Sequence, residues 1–266
     1  AVLGLVTLAH PLSGLALTAL VAPVLSAVPL LILDGNTYPL VLFGTMGFIS
    51  GWLLREIIQP RLGGLFPGQG WLLVLLGMIV FSGASTILRY NPRWVWSHPE
   101  FLNQIINTKG MTRVDAVRYI SFVLANGVAF ALTVTSAYAI VHHRARTPVR
   151  AGRIVVWSLL IGAAVAAGVA WYQSQSPQHI FFCANKSYYW TRLRRTNGTC
   201  SDPNALGTML ALCMSLACMR VLFNGGMSSW KAWLERSAAL GLVALYFWAI
   251  CCSGSRSGLL AALLVC

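Results

Sequence analysis

The stretch IVVWSLLIGAAVAAGVAWYQ, residues 154–173, has no charged side chain along its whole length. A helix rises about 1.5 Å per residue, so about 20 apolar residues cross the hydrocarbon core of a bilayer, which is about 30 Å thick. This stretch therefore predicts a membrane-spanning helix and assigns the chain to a bilayer.

Further stretches of similar length and composition lie on both sides of this one. The predicted spans are roughly residues 13–33, 38–58, 70–88, 119–142, 154–173, 204–222 and 237–252, and residues 257–266 would begin another. We therefore predict an all-α fold, a polytopic transmembrane helix bundle of about seven to eight spans. Residues 1–33 are too long for one straight span and contain Pro11, Pro23 and Pro29, so two short or kinked helices are the alternative there.

The composition agrees with a membrane protein and argues against a nucleic-acid-binding one. Hydrophobic residues make up 57% of the chain and charged residues 9%, whereas soluble domains carry about 25% charged residues. The formal net charge is +13, from 19 basic and 6 acidic residues, yet Asp34 is the only charged side chain before residue 55. Cations between apolar spans favour anionic lipid head groups or a phosphorylated substrate as partners over nucleic acid.

The short loop HHRARTPVRAGR, residues 142–153, decides the predicted orientation. The total numbers of Lys and Arg on the two sides of the membrane nearly balance, so they do not settle it. The positive-inside rule is most reliable for short loops, and this loop has four Arg and no acid. We therefore expect it in the cytoplasm, with the longer loops 89–118 and 174–203 on the outer face. Those outer loops are basic against the usual bias, which indicates another demand for cations there.

Both ends of the chain bear on its domain organisation. The chain begins at Ala1 rather than Met and ends at Cys266 within GLLAALLVC, an apolar run too short to span. No internal repeat is apparent. We therefore expect residues 1–266 to form a single transmembrane domain that is the N-terminal part of a longer protein.

The cysteine positions predict one disulfide. Five of the seven cysteines lie in apolar runs, whereas Cys183 and Cys200 bracket a polar loop. Closing that loop in an oxidising compartment would stabilise it by about 3 kcal/mol in the chain-entropy model. No HExxH, paired CxxC or P-loop motif occurs, so we predict neither a metal site nor a cofactor.

The segment RLRRTNGTCSDPNALGTMLAL, residues 192–212, has the features of an anion-binding helix start. Asp202 is placed as the N-cap and Pro203 as the first residue of the next helix. The free N–H groups of such a helix start favour negative charge. The nearby guanidinium groups add bidentate donors for phosphate oxygens, and they belong to Arg192, Arg194 and Arg195. The alternative is that these arginines only reach out to lipid phosphates.

A second cation lies in SGSRSGLLAALL, residues 253–264. Arg256 separates one apolar run from the start of another, where a charge is costly unless it faces protein, water or an anion. Its small neighbours allow another helix or a ligand to approach closely. The alternative is an interfacial anchor beside small-residue packing. In the predicted orientation Arg256 emerges on the same outer face as Arg195, so two independent features point to one surface.

Together these motifs resemble those of a known family. Arg195-Thr-Asn-Gly followed by DPNALGTMLAL, and then SGSRSG before an apolar run, resemble the O-antigen ligase and O-antigen polymerase family of bacterial inner-membrane glycosyltransferases. The outer-loop stretch WVWSHPE, with Trp96 and Ser97, is similar to that family at the matching place. The resemblance covers about residues 80–266 and implies the GT-C type of fold of other transferases that use lipid-linked sugars.

The resemblance also implies an activity, that of a metal-independent glycosyltransferase in the inner membrane. Such enzymes take a glycan from undecaprenyl pyrophosphate on the periplasmic face and join it to an acceptor hydroxyl, on the lipid A core for a ligase or on the growing glycan for a polymerase. Arg195 and Arg256 match the family's catalytic, pyrophosphate-binding arginines, and preorganised cations suit the charge that develops on a leaving pyrophosphate. Arg194 and Arg192 are neighbours that we also expect to contact the pyrophosphate.

Several alternatives stay open on the sequence. The motifs do not separate a ligase from a polymerase or from a protein O-oligosaccharyltransferase. A polysaccharide or lipid transporter and a non-catalytic membrane protein that binds polyprenyl phosphates are alternatives of a different class. A transporter would be expected to contain corresponding interrupted helices in two halves of the chain, and the predicted spans show no such pair.

The catalytic base is expected to lie outside this sequence. Ligases place a catalytic His in a large periplasmic loop that follows the part matched here, and such a His would deprotonate the acceptor hydroxyl. His98 and His179 lie in the outer loops but match no motif. His142 and His143 end a helix on the cytoplasmic side, where a basic group suits the helix macrodipole.

Overall fold

The structure, a computed structural model, describes the chain in several stretches. They are residues 2–26, 29–33, 36–59, 127–175, 193–200, 202–223 and 230–265, with the single positions 74, 77, 78 and 81. The chain divides into two compact units, one of Ala1–Pro60 with Ile140–Cys266 and one of Arg61–Ala139. The candidate site lies in the first unit, and the single transmembrane domain over residues 1–266 stays a prediction.

The described residues are mainly helical, which confirms the predicted all-α class apart from one short hairpin. In chain order the elements are α1 (Val2–Ala9), α2 (Pro11–Val24), β1 (Pro29–Leu33), β2 (Asn36–Pro39), α3 (Leu40–Ile58), α4 (Gly127–His142), α5 (Pro148–Gln175), α6 (Pro203–Phe223), α7 (Trp230–Ser253) and α8 (Arg256–Val265). The strands β1 and β2 pair in antiparallel fashion. The last turn of α4 passes into a π-helical turn, Ile140–Arg144.

Four of the described helices, α3, α5, α6 and α7, are long and apolar enough to cross a membrane, as expected of a polytopic membrane protein. The predicted spans at 154–173, 204–222 and 237–252 lie within α5, α6 and α7. The total of seven to eight spans stays a prediction, because residues 119–126 and nearly all of 70–88 lie outside the described residues.

The predicted span at 13–33 is wrong, and the alternative of two short helices is what the structure has. Pro11 is the first residue of α2, where its missing N–H leaves no hydrogen bond unmade. The helix ends at Val24, and Pro29 begins β1. A proline disfavours helical backbone in the residue before it, so the helix does not continue into the hairpin.

Small side chains allow α5 to pack closely against its neighbours. Four alanines of α5 are fully buried: Ala163, Ala166, Ala167 and Ala170. A Cβ added at Gly162 would overlap the carbonyl group of Leu20 in α2. Close backbone approach of this kind stabilises helix pairs in membranes, where apolar side chains gain little by leaving lipid. α5 also contacts α6 and α7, and α6 packs in turn against α8.

One ion pair shows which ends of α5 and α7 lie together. Arg153 Nη2, near the start of α5, lies 3.4 Å from Glu235 Oε2, near the start of α7. The other ends of these two helices, at Gln175 and Ser253, therefore lie at the opposite end of the unit. The residues that precede α6 and α8 contact those ends, so four helix termini meet in one place.

Candidate functional site

The start of α6 was singled out by the sequence, and its geometry is that of a capped helix. Asp202 Oδ1 accepts a hydrogen bond from the backbone N–H of Asn204 at 2.6 Å, and the Asp202 carbonyl accepts one from Leu206 at 3.1 Å. Pro203 is the first helical residue. The predicted N-cap at Asp202, with Pro203 in the first turn, is therefore confirmed.

α8 begins in the same way, with a cap that the sequence analysis did not predict. Ser255 Oγ accepts a hydrogen bond from the backbone N–H of Gly258 at 3.1 Å, and the Ser255 carbonyl accepts one from Leu259 at 2.9 Å. Gly254 has a φ of +60°, a left-handed conformation that suits glycine, and it turns the chain from α7 into this cap. Arg256 is thereby the first residue of α8.

Arg195 links the end of α7 to the start of α6. Its Nε donates to the carbonyl oxygen of Ser253 at 2.7 Å, and its Nη2 donates to Asn204 Oδ1 at 2.8 Å. The backbone N–H of Thr196 donates to the carbonyl oxygen of Cys252 at 3.2 Å. The last turn of α7 is thus bonded to the segment that carries Arg195, and through its guanidinium to the first turn of α6.

Arg195 and Arg256 line the same cavity, which we name the diarginine cavity. Its volume is about 730 Å³, and its described lining consists of Leu193, Arg195, Asn204, Gly254, Arg256 and Ser257. No acidic side chain is among these lining residues, so the two guanidinium groups give it two positive charges. The first turns of α6 and α8 both border it, and helix N-termini favour anions. The cavity can therefore hold an anion that carries more than one charge.

Two glycines bring the starts of α6 and α8 into backbone contact. A Cβ added at Gly258 would lie 2.7 Å from the carbonyl carbon of Gly207. A Cβ added at Gly207 would lie 2.4 Å from the Cβ of Ser255. Neither position has room for a larger residue, and the contact places the two helix N-termini side by side at the cavity.

We expect the Gly258→Ala variant to be destabilised by about 1–3 kcal/mol, because its methyl group would have to displace the backbone of α6. Thermal unfolding of the purified protein in detergent measures the change. Gly241→Ala is the matched control, since a Cβ at Gly241 meets nothing within 4 Å. Helix propensity should leave that control as stable as the wild type or more so. Equal unfolding temperatures for Gly258→Ala and the wild type would contradict the proposed helix contact.

Gln173, near the end of α5, binds the backbone of the segment between Arg195 and the start of α6. Its Oε1 accepts hydrogen bonds from the backbone N–H groups of Asn197 at 3.1 Å and Gly198 at 2.8 Å. Its Nε2 donates to the carbonyl oxygen of Gly198 at 3.1 Å. Gln173 is 1% exposed, so these bonds satisfy backbone groups that water does not reach. Gln173 was not among the site residues predicted from the sequence, although its amide is an unusual polar group within the apolar stretch 154–173.

A second cavity, which we name the polar cavity, adjoins the first. Its volume is about 380 Å³, and its described lining consists of Gln173, Ser174, Gln175, Arg194, Arg195, Thr196 and Cys252. Arg195 borders both cavities. Arg194 is exposed and has a φ of +52°, which is uncommon for a residue other than glycine. Its guanidinium lines the polar cavity rather than the diarginine cavity.

The predicted anion-binding residues are thus partly brought together. Arg195 and Arg256 line the diarginine cavity, and Arg194 lines the adjoining polar cavity together with Arg195. Arg192 lies outside the described residues, as do Trp96, Ser97, His98 and His179. Asn204 joins the site through a tertiary contact, its hydrogen bond with Arg195, whereas the Ser255 cap is a local contact that was not predicted.

Cys200 is buried beside the site. Burial raises the pKa of this thiol; the hydrogen bond from Ser26 opposes the rise and the charge of Asp202 adds to it. Its predicted disulfide partner, Cys183, lies outside the described residues, so the Cys183–Cys200 bridge stays a prediction.

The donors at the site are guanidinium, amide and hydroxyl groups, which recognise anions and hydroxyls rather than metal ions. Within the stretches that the structure describes, no three His, Cys, Asp or Glu side chains are grouped so as to hold a metal ion.

Comparisons of the chain with models of protein families, with curated proteins and with solved structures found no match in any of the three.

Proposed function

We propose that the diarginine cavity binds the diphosphate of an undecaprenyl-linked glycan and that the protein transfers this glycan to an acceptor hydroxyl. The observation that carries the proposal is that Arg195 and Arg256 line one cavity with no acid among its described lining. In this proposal the cavity opens on the periplasmic face of a bacterial inner membrane, and the bundle is related to transferases of the GT-C type.

The charge and shape of a diphosphate suit this cavity. A diphosphate ester carries two negative charges, which two guanidinium groups balance. Guanidinium is planar and always protonated at physiological pH, and it donates two parallel hydrogen bonds to phosphate oxygens. The starts of α6 and α8 add backbone N–H groups and the positive ends of two helix macrodipoles. A single lipid head-group phosphate would leave one of the two arginines without a charge partner.

The same groups suit the proposed chemistry. In the transfer step the acceptor oxygen bonds to the anomeric carbon of the sugar, and the bond from that carbon to the diphosphate oxygen breaks. The diphosphate leaves with the electron pair, and the acceptor proton passes to a general base. Negative charge therefore grows on the oxygen nearest the arginines, and each preorganised donor of this kind lowers a barrier by about 3–4 kcal/mol.

The acceptor that we propose is the lipid A core, which makes the protein a ligase. A growing O-antigen glycan or a protein hydroxyl would make it a polymerase or a protein O-oligosaccharyltransferase. All three acceptors share the donor and the diarginine cavity, so the function of Arg195 and Arg256 is the same in each. Membrane lipids are the remaining partner, as the length and composition of α3, α5, α6 and α7 indicate.

Binding of the donor lipid tests the proposal. The purified protein in phosphatidylcholine nanodiscs should bind undecaprenyl diphosphate, and Arg256→Ala should weaken binding about 10- to 100-fold by removing charge-assisted hydrogen bonds. Arg150→Ala is the matched control, because Arg150 is also an exposed arginine in a first helical turn but lines neither cavity. Unchanged binding by Arg256→Ala, or equal affinity for undecaprenyl monophosphate and diphosphate, would overturn the proposal.

The test also separates the alternatives of a different class. A non-catalytic binding protein would bind the diphosphate and depend on Arg256, but the complete protein would transfer no glycan. A transporter would move labelled donor lipid between leaflets, and that movement would not require both arginines.

A further inference from the structure

The polar cavity is bordered by the end of a helix, whereas the diarginine cavity beside it is bordered by two helix starts. Its wall includes Ser174 and Gln175, which end α5. The last turn of a helix presents carbonyl oxygens without intrahelical partners and the negative end of the macrodipole. Arg194 and Arg195 also line it, so its wall offers N–H donors and positive charge as well. A wall that offers acceptors and donors together suits a group with several hydroxyls, because a hydroxyl both donates and accepts whereas an ionised phosphate only accepts.

One wall residue has an unmet hydrogen-bonding group. Thr196 is 4% exposed, and its hydroxyl finds no hydrogen-bond partner among the residues that the structure describes. A buried hydroxyl without a partner is destabilising, and rotation of the Thr196 side chain towards the cavity would let a ligand hydroxyl remove the deficit. Ser174 Oγ donates to the carbonyl oxygen of Trp171 at 2.7 Å and accepts from Gln175 Nε2 at 3.4 Å, which leaves it one lone pair for a further hydrogen bond.

The position of the polar cavity identifies the group that it would hold. Arg195 borders both cavities, so a ligand in the polar cavity lies directly beside an anion held by Arg195 and Arg256. In a polyprenyl diphosphate glycan, the group bonded to the diphosphate on the side away from the lipid is the first sugar. The cavity of about 380 Å³ falls within the range of about 300–1,000 Å³ of small-molecule pockets.

We propose that the polar cavity binds the first sugar of the donor through its hydroxyl groups and so determines which donor glycans are accepted. This inference rests on the proposed function, because the diphosphate in the diarginine cavity fixes which part of the donor reaches the polar cavity. Arg194 and Thr196 bind sugar hydroxyls, and the side-chain oxygens of Ser174 and Gln175, at the end of α5, supply the acceptors.

Matched lipids test the inference in the same nanodiscs. The probes are undecaprenyl diphosphate capped as its methyl ester, here called the bare lipid, and undecaprenyl diphosphate that carries a single hexose or a single N-acetylhexosamine, so that every probe has two negative charges. We expect the wild type to bind at least one of the sugar-bearing lipids about tenfold more tightly than the bare lipid, as two or more additional hydrogen bonds would provide. The Thr196→Val variant, which keeps the side-chain shape, and the Ser174→Ala, Gln175→Ala double variant should lose most of this preference and keep the affinity for the bare lipid.

Ser215→Ala is the control for these variants. Ser215 Oγ donates to the carbonyl oxygen of Leu212 at 2.7 Å, the same bond within a helix turn that Ser174 makes, and Ser215 lines neither cavity. This variant should keep the full preference for the sugar-bearing lipid.

The possible outcomes separate this inference from the proposed function. A wild-type protein that binds the bare diphosphate but prefers neither sugar-bearing lipid overturns the inference alone, as do variants that keep the full preference. A wild-type protein that does not bind undecaprenyl diphosphate overturns the proposed function. Loss of the preference in Thr196→Val and in the double variant, with bare-lipid affinity kept, supports the inference.

Discussion

Glycan transfer by the complete protein should fall about 100- to 1,000-fold when Arg256 is replaced with Ala, and by a similar factor for Arg195→Ala. Both guanidinium groups line the cavity in which we propose that the diphosphate leaves. Removing either one takes away donors that act most strongly as charge develops in the transition state. The loss of transfer should therefore exceed the loss of donor binding.

The two variants should differ in stability. Arg195 donates hydrogen bonds to Ser253 and Asn204, so Arg195→Ala also removes the side-chain bonds that link the end of α7 to the start of α6 and should lower the unfolding temperature. Arg256 makes no hydrogen bond or ion pair to any residue that the structure describes, so Arg256→Ala should unfold like the wild type. Arg256→Ala is consequently the more informative variant for the chemistry.

Product formation is measured with membranes that contain the complete protein at matched levels, undecaprenyl-diphosphate-linked glycan and acceptor. Arg150→Ala, the exposed arginine at the other end of α5, should keep wild-type transfer. Arg256→Lys should recover only part of the activity, because an ammonium group keeps the charge and loses the bidentate geometry. Wild-type transfer by Arg256→Ala would remove this residue from the proposed mechanism.

The sequence alone was enough to predict the long helices but not the residues at which they begin. Uninterrupted apolar stretches predicted α5, α6 and α7, because length alone decides whether a helix can span. The prediction started α7 at residue 237, whereas the helix begins at Trp230. Its first turns carry charged side chains, among them Glu235, which is paired with Arg153. A hydropathy criterion stops at such residues even though the helix continues.

The first region shows a different limit. Residues 13–33 are apolar enough for a span, yet α2 ends at Val24 and a hairpin follows. A short apolar run suits a strand as well as part of a helix, so composition did not distinguish the two. The local indications were the prolines, which supported the alternative of two short helices, and the Asp34-Gly35 pair, which is typical of a hairpin turn.

The candidate site was predictable where local chemistry determined it. The cap at Asp202 and Pro203 follows from residues next to each other in the sequence, and the structure confirms it. The Gly207–Gly258 contact and the Arg195–Ser253 bond join residues about 50 positions apart. One sequence without tertiary information does not determine such pairs.

Replacing Gln173 with Met should unfold the segment around Asn197 and remove most transfer activity, although Gln173 touches neither Arg195 nor Arg256 in any hydrogen bond described above. Three hydrogen bonds link the Gln173 amide to the backbone of Asn197 and Gly198. Met has a similar length and no polar atom able to replace them, so three buried backbone groups would lose their partners. Each loss costs about 1–3 kcal/mol, and we expect a total destabilisation of about 3 kcal/mol or more.

The consequence for activity follows from the covalent chain. Asn197 is two residues after Arg195, so a backbone that is no longer fixed at Asn197 leaves the Arg195 guanidinium without a defined position. Unfolding temperature in detergent and glycan transfer in membranes should therefore fall together. Gln175→Met is the matched control for stability, because Gln175 is exposed and its amide donates only to Ser174 Oγ, at 3.4 Å. If Gln173→Met were as stable as Gln175→Met, the buried amide would not be what fixes the segment, and the position of Arg195 would have to depend on other contacts, among them those with Ser253, Asn204 and Cys252.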